Sequence, residues 1–205
     1  MIKTLTCFWA VAISYFPPVR TKLRQIAKDI ITEYGTPHLH RVVIVAVGLS
    51  HAGKTTVLKD EKGLHLSSDD IHRRLNRSFA LLQRDDCIGT YAYWTRQIFA
   101  MRVRRMILDS VLQSGVRVIC DSCNLRARDR RWILRRAKLY HYHTIIIYVT
   151  CPEHVLLERL EETDHQRVRA GDPPVCVDLY YNVQKPIFEP PHESEADEFF
   201  VIPTA

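Results

Sequence analysis

The run Gly48-Leu49-Ser50-His51-Ala52-Gly53-Lys54-Thr55-Thr56 matches Gly-x-x-x-x-Gly-Lys-[Ser/Thr] without deviation. Glycines at both ends let the backbone fold tightly, so that consecutive N–H groups turn inward at the oxygens of a phosphate. The expected phosphate-binding set is Gly48, Ser50, His51, Ala52, Gly53, Lys54, Thr55 and Thr56. Lys54 has the reach and charge for β- and γ-phosphates, and the Thr55 hydroxyl is a ligand for Mg²⁺. That chemistry predicts a bound nucleoside triphosphate.

Carboxylates decide what happens to the triphosphate. Asp69 and Asp70 follow the short apolar segment Leu64–Ser67, and Asp121 follows Val116–Cys120. In an open α/β sheet, ligands sit outside the carboxyl ends of the strands. A carboxylate there can take the proton of an attacking hydroxyl as general base. With two adjacent aspartates, one can cap the helix expected from Ile71 while the other catalyses, and Asp69 is favoured as the catalyst. Asp121 has three readings: holding Mg²⁺ through water, orienting the acceptor, or capping a helix from Arg126. The Asn-Lys-x-Asp signature of guanine recognition does not occur, and no strand candidate ends in the Asp-Glu pair of water-activating ATPases.

These residues need a scaffold, and the chain spells one out. Val42–Val47 is continuously apolar, as suits a parallel strand covered on both faces. Further strands are expected at Leu64–Ser67, Val116–Cys120, Thr144–Val149 and Phe199–Ile202, with helices near 54–61, 69–83, 88–113, 126–140, 152–161 and 176–185. Such alternation predicts βαβ units and a three-layer α/β sandwich on a five-stranded parallel sheet. Before it, Leu23, Ile26, Ala27, Ile30, Ile31 and Tyr34 repeat at helical spacing, which predicts a helix over Thr21–Tyr34. The expected organisation is an N-terminal helical arm over 1–40 and one domain over 41–205.

Composition agrees. Of 205 residues, 46% are hydrophobic and 25% charged, which excludes a disordered or collagen-like chain. Residues 1–150 carry 25 Lys and Arg against 11 Asp and Glu, and residues 151–205 carry 4 against 12. A basic body suits polyanionic ligands. The basic run Arg126, Arg128, Arg130, Arg131, Arg135, Arg136 and Lys138 is either a track for nucleic-acid phosphates or a solvated helix face. Six scattered cysteines read as reduced thiols in a cytoplasmic protein. Cys120 and Cys123 have C-x-x-C spacing without a second pair, and two His-x-His pairs, at 38–40 and 141–143, lack a third ligand. No run reaches the ~18 apolar residues of a membrane span. In the apolar Leu5–Phe16, the run before the cleavage-like Ala10-Val11-Ala12 is too short for a convincing signal peptide, and the segment reads as a packed or poorly ordered arm.

The segment Ile119-Cys120-Asp121-Ser122-Cys123-Asn124-Leu125, with Arg130-Arg131 after it, resembles the Asp-(x)-Thr-Asn-Leu…Arg-Arg segment of polynucleotide 5′-hydroxyl kinases and their relatives, small P-loop kinases described as AAA-type ATP-binding proteins. Ser68-Asp69-Asp70 is similar to the junction holding that family's general base, and Val149–Glu153 with Leu157-Glu158-Arg159 to the strand and helix before its lid. The C-terminal stretches Pro173–Tyr181, Phe188–Pro191 and Glu195–Asp197 follow its pattern, so the likeness spans roughly 41–202. It implies ATP and Mg²⁺ at Lys54 and Thr55, with Asp121 as a further metal ligand. It also implies a base at Asp69, and a lid over about 162–176 whose Arg167 or Arg169 steadies the transferring phosphoryl group. Asp70, Arg73 and Asn124 are the implied acceptor contacts. Three positions depart: His72 stands where polynucleotide kinases carry a phosphate-gripping arginine, Cys123 where threonine is usual, and His51 where the loop residue is small.

The function expected is therefore an ATP-dependent kinase with a hydroxyl-bearing acceptor and no membrane association. A nucleic-acid 5′-hydroxyl fits the basic body, a small-metabolite hydroxyl fits His72, and a non-catalytic ATP-binding module is the rival class.

Overall fold

The computed structural model describes residues 11–34, 41–79 and 90–205. Five strands form one parallel sheet: β1 (Val42–Val47), β2 (Leu64–His65), β3 (Val118–Cys120), β4 (His143–Thr150) and β5 (Glu198–Pro203), in the order β2-β3-β1-β4-β5. β1 is hydrogen-bonded on both sides, with Val43 opposite Val118 and Val45 opposite Cys120 on β3, and Val42 to Val47 opposite His143 to Tyr148 on β4. Its apolar run follows from that position. Val43, Val45 and Val47 face one core, while Ile44 and Ala46 face another.

The first core is covered by α1 (Pro17–Tyr34), α3 (Ser68–Ser78), α4 (Tyr91–Gln113) and α5 (Ala127–Leu139); the second by α2 (Lys54–Leu58) and α6 (Glu153–Arg169). A tail of short elements follows α6: α7 (Cys176–Leu179), a π-helical turn (Tyr180–Gln184), α8 (Lys185–Ile187) and a 3₁₀ turn (Glu193–Glu195). The α/β architecture is the one expected from the alternation of strands and helices.

Several boundaries moved. α1 starts four residues before the expected Thr21, because prolines are tolerated in a first helical turn. Its Leu23, Ile26, Ala27 and Ile30 are buried in the same core as α4 and the sheet. α6 continues to Arg169 rather than ending near 161, so most of the expected lid stretch is helix. α3 starts at Ser68, capped by Ser67, whose side chain accepts from the Asp70 N–H at 3.5 Å; neither Asp69 nor Asp70 is the cap. α5 has no side-chain cap from Arg126 or Asp121; the Ala127 N–H donates to Glu189 Oε2 at 2.9 Å. Among the described residues, no helix is long and apolar enough to cross a membrane. Cys7, Cys87 and the pair His38 and His40 fall outside the described residues.

The basic run of α5 does not form a continuous track. Arg130 is fully buried. It donates to both oxygens of Glu195 at 2.8 Å, and its Nη1 reaches the carbonyls of Asn124, Leu125 and Glu189. Arg136 pairs with Asp109 at 2.6 Å and Lys138 with Asp197 at 3.3 Å. Arg131 and Arg135 are exposed.

The Arg130–Glu195 pair ties the C-terminal tail to the start of α5. Removing one member leaves a buried charge uncompensated, which costs about 3–5 kcal/mol. Glu195→Ala is expected to lower the unfolding free energy by that amount in urea titration, while Arg131→Ala, at an exposed neighbour, changes it by about 0.5 kcal/mol or less. Burial pushes the Glu195 carboxyl up, but Arg130 and the His192 N–H outweigh it and hold it below the ordinary range. A carboxyl depressed in the folded state stabilises fully above its unfolded value, about pH 4.3, and that contribution fades as pH falls through the folded value. Stability of the unaltered chain should therefore drop more steeply below about pH 4 than that of Glu195→Gln.

Candidate active site

The phosphate loop leaves the end of β1. The Gly48 N–H donates to the Cys123 carbonyl at 3.2 Å, and a Cβ on Gly48 would stand 2.6 Å from the carbonyl oxygen of Val149, so only glycine fits between β1 and its neighbours. Gly53 closes the loop in the left-handed region at φ 89°, immediately before α2. Lys54 is buried, with Nζ folded back to the Leu49 carbonyl at 2.7 Å. Thr56 is exposed at the first turn of α2.

His51 also lies in the left-handed region, at φ 63°, which is costly for a residue with a Cβ. Two side chains of α6 hold it there: Arg159 Nη1 donates to its carbonyl at 3.1 Å, and Thr163 Oγ1 meets its Nε2 at 3.1 Å. Thr204, just beyond β5, donates to the Ala52 carbonyl at 2.9 Å. Burial, and after it the Lys54 ammonium, lowers the His51 imidazole below its ordinary range, while Asp69 and Asp164 pull it upward. Ser68, next to Asp69, donates its N–H to the Asp121 carbonyl at 3.4 Å, and its hydroxyl lies 2.6 Å from that of Ser122, so α3 begins beside the loop after β3.

Asp121 stands at the end of β3, beside the loop, because β3 pairs with β1. The Thr55 hydroxyl donates to its Oδ2 at 2.9 Å, and the carboxylate is buried. One neutral and one charged oxygen form the partial ligand set that Mg²⁺ takes when waters and substrate phosphates complete its octahedron. These two residues fit the ion. Among the described residues, no group of three or more His, Cys, Asp or Glu is placed to hold a metal by protein ligands alone.

A cleft of about 330 Å³ is lined by Asp69, and helical phase decides what joins it. Asp69, His72 and Asn76 are spaced i, i+3, i+7 on α3 and share its cleft face; Tyr93 and Arg96 come from α4, and Arg167 from α6. Val175 and Leu179 complete the wall. Asp70, the next residue on from Asp69, is turned about 100° away round α3, and Arg73 turns its guanidinium toward Asp70 and solvent. Arg74 Nε donates to Asp70 Oδ2 at 2.9 Å, and Arg73 lies 3.6 Å from Asp70 Oδ1 with most of its side chain in solvent. Neither lines the cleft, contrary to the acceptor contacts expected of them. His72, at the departing position, does.

Asn124 is likewise not an acceptor contact. It is buried at φ 45°, and its Nδ2 donates to the carbonyls of Ala46, Cys120 and Ser122 while Arg104 donates to its Oδ1. It pins the β3 loop to β1. Of the two lid arginines, Arg167 lines the cleft and donates through Nε to the Pro173 carbonyl at 2.9 Å, whereas Arg169 is exposed at the end of α6. Arg96 was missed. It is buried and donates to Asn76 Oδ1 at 3.4 Å, on the α4 stripe that also carries Tyr93, Ala100 and Val103. An arginine on an otherwise apolar stripe was the signal available.

A family model described as an AAA domain (AAA_33) matches residues 43–178. No curated protein matches the chain in sequence. Among solved structures, a protein of the PezAT chromosomal toxin–antitoxin system of Streptococcus pneumoniae is similar at 17% identity and a TM-score of 0.61, over 82% of this chain and 74% of its own. A provisionally assigned kinase from Chloroflexus aurantiacus is similar at 20% identity and a TM-score of 0.57, over 80% of this chain and 85% of its own. At these identities the two structures share the fold. The family model spans well over half of the chain and includes the phosphate loop, so the chain belongs to this AAA domain family.

Proposed function

We propose that the chain is an ATP-dependent kinase that transfers the γ-phosphoryl group to the hydroxyl of an acceptor seated beside Asp69. The observation carrying this reading is the position of Asp69, on the cleft wall and one residue after Ser68, whose N–H donates to the carbonyl of the same Asp121 that meets Thr55. Asp69 accepts the acceptor's proton as the oxygen attacks. Lys54 swings from the Leu49 carbonyl to the β- and γ-phosphates, and Arg167 stands on the cleft wall to share the charge of the transferring group. Thr55 and Asp121 would hold Mg²⁺, which would supply neutralisation of phosphate charge. Positioning and charge neutralisation supply most of the acceleration, with about 10²–10⁴ from the base.

The cleft volume and the presence of His72 on its wall support a small hydroxyl compound as acceptor. The excess of positive charge in residues 1–150 supports a second reading, in which the acceptor is a nucleic-acid 5′-hydroxyl.

Incubation with γ-labelled ATP and a panel of sugars, nucleosides and oligonucleotides tests both. Labelled product is expected with at least one hydroxyl compound; none from any, despite bound ATP, would leave a non-catalytic module. Asp69→Asn should lower transfer by at least about 100-fold with ATP binding intact, and Lys54→Ala should abolish transfer. Transfer at near-normal rate by Asp69→Asn would remove that residue from the mechanism. The acceptor's apparent affinity should change little between 50 and 200 mM salt if it is small and neutral, and fall by about tenfold or more if it is a polynucleotide.

A further inference from the structure

Ser50, the third residue of the phosphate loop, has both its polar groups engaged by one side chain far along the chain. Its N–H donates to Oε1 of Gln184 at 3.0 Å, and Gln184 Nε2 donates to Ser50 Oγ at 2.5 Å. Cys123 Sγ lies 3.5 Å from the same hydroxyl. Gln184 is 7% exposed and ends the π-helical turn. Such turns are rare, and gather at functional sites because the extra residue re-aims a side chain.

The residue type suits three demands at once. The Ser50 N–H requires an acceptor, the Ser50 hydroxyl is met by a donor, and a site beside a bound polyphosphate disfavours negative charge. A primary amide of this length satisfies all three. Glutamate would still accept from the N–H and from the hydroxyl, but would add a negative charge. Methionine, of similar size, would leave a loop N–H without its acceptor.

The segment carrying Gln184 is itself anchored. Asp164 of α6 accepts the N–H groups of Val175, Cys176 and Val177 at 2.8, 2.8 and 3.0 Å, and Tyr180 donates to Glu153 at 2.8 Å. Val175 and Leu179, at its beginning, wall the cleft that holds Asp69. One short stretch therefore touches the acceptor cleft at one end and the phosphate loop at the other.

We propose that Gln184 is a positioning residue for the nucleotide: its neutral amide fixes Ser50, keeps the loop in the shape that receives phosphate, and ties that shape to the wall of the acceptor cleft. This rests on reading the loop as the ATP site. The test uses the full chain with Gln184→Glu and Gln184→Met, measuring Mg-ATP affinity by calorimetry, turnover, and thermal melting. Gln184→Glu is expected to melt close to the unaltered chain yet bind Mg-ATP about tenfold or more weakly, through charge alone. Gln184→Met is expected to raise the KM for ATP severalfold, with kcat changed less. A purely structural residue would lower the melting temperature in both variants without a selective loss of nucleotide affinity, and that result overturns the proposal. Binding by both variants within twofold of the unaltered chain overturns it too. Should Gln184→Met fail to fold, the charge effect of Gln184→Glu decides alone. If the unaltered chain binds no Mg-ATP, the reading of the loop fails and this proposal with it; loss of transfer with binding intact touches only the assignment of Asp69.

Discussion

Parallel pairing of β1 with β3 is the constraint on which the site depends. It brings the carboxyl ends of two strands to the same edge of the sheet, with Val45 opposite Cys120, 75 residues on. The loop after β1 then emerges beside the loop after β3, and the contact between Thr55 and Asp121 follows from that adjacency. β1 takes the central place in the sheet, hydrogen-bonded on both edges, and both of its apolar faces are covered. Asn124 reinforces the adjacency from within. Its amide satisfies three carbonyls, one on β1, in a turn whose backbone conformation Asn tolerates better than most residues.

The charge distribution acquires a different meaning in three dimensions. A basic α5 invites the idea of a phosphate track, yet its central arginine is the most enclosed charged group among the described residues. Arg130 spends its donors on Glu195 and on three carbonyls of the segments that meet α5. The acidic C-terminal region is thus partly an internal counterweight to the basic body. Glu195 meets Arg130, and Asp197 meets Lys138 as well as the N–H and hydroxyl of Thr144. These pairs dock the tail and deliver β5 to β4. What remains for a polyanion is the exposed part of the run, in which Lys138 is already paired with Asp197.

Elements carried by local chemistry were legible in the sequence. β1 was readable to the residue, because a buried central strand is a continuous apolar run bounded by a glycine turn. The phosphate loop was readable because its glycines and lysine answer to the backbone and the ligand more than to distant packing. α6 was cut short because Glu161-Glu162-Thr163-Asp164 offers no apolar signal. The helix continues because Asp164, two turns on from Leu156 and one from Leu160 on the same buried stripe, uses its carboxylate to cap α7. Arg96 was overlooked for a related reason: its position is apolar by periodicity and polar by contact. Asp70 was misplaced because the next residue along a helix is turned about 100° away from Asp69. Arg73, four residues on, shares the side of Asp69 by phase, but its guanidinium turns to Asp70 and solvent, which spacing does not reveal.

The loop itself shows why α6 had to be that long. A histidine in the left-handed region costs free energy that a glycine would avoid, so something must hold it. Arg159 and Thr163, one turn apart on α6, hold its carbonyl and its ring. The same helix then carries Asp164, which fixes the segment ending in Gln184, and Arg167, which lines the cleft beside Asp69. One element therefore touches the strained tip of the loop, the tether at Ser50 and the far wall of the cleft. A helix ending near residue 161 would have kept only Arg159 of these. The geometry of the phosphate loop and of the cleft beside it is in this sense one problem, solved along a single helix axis.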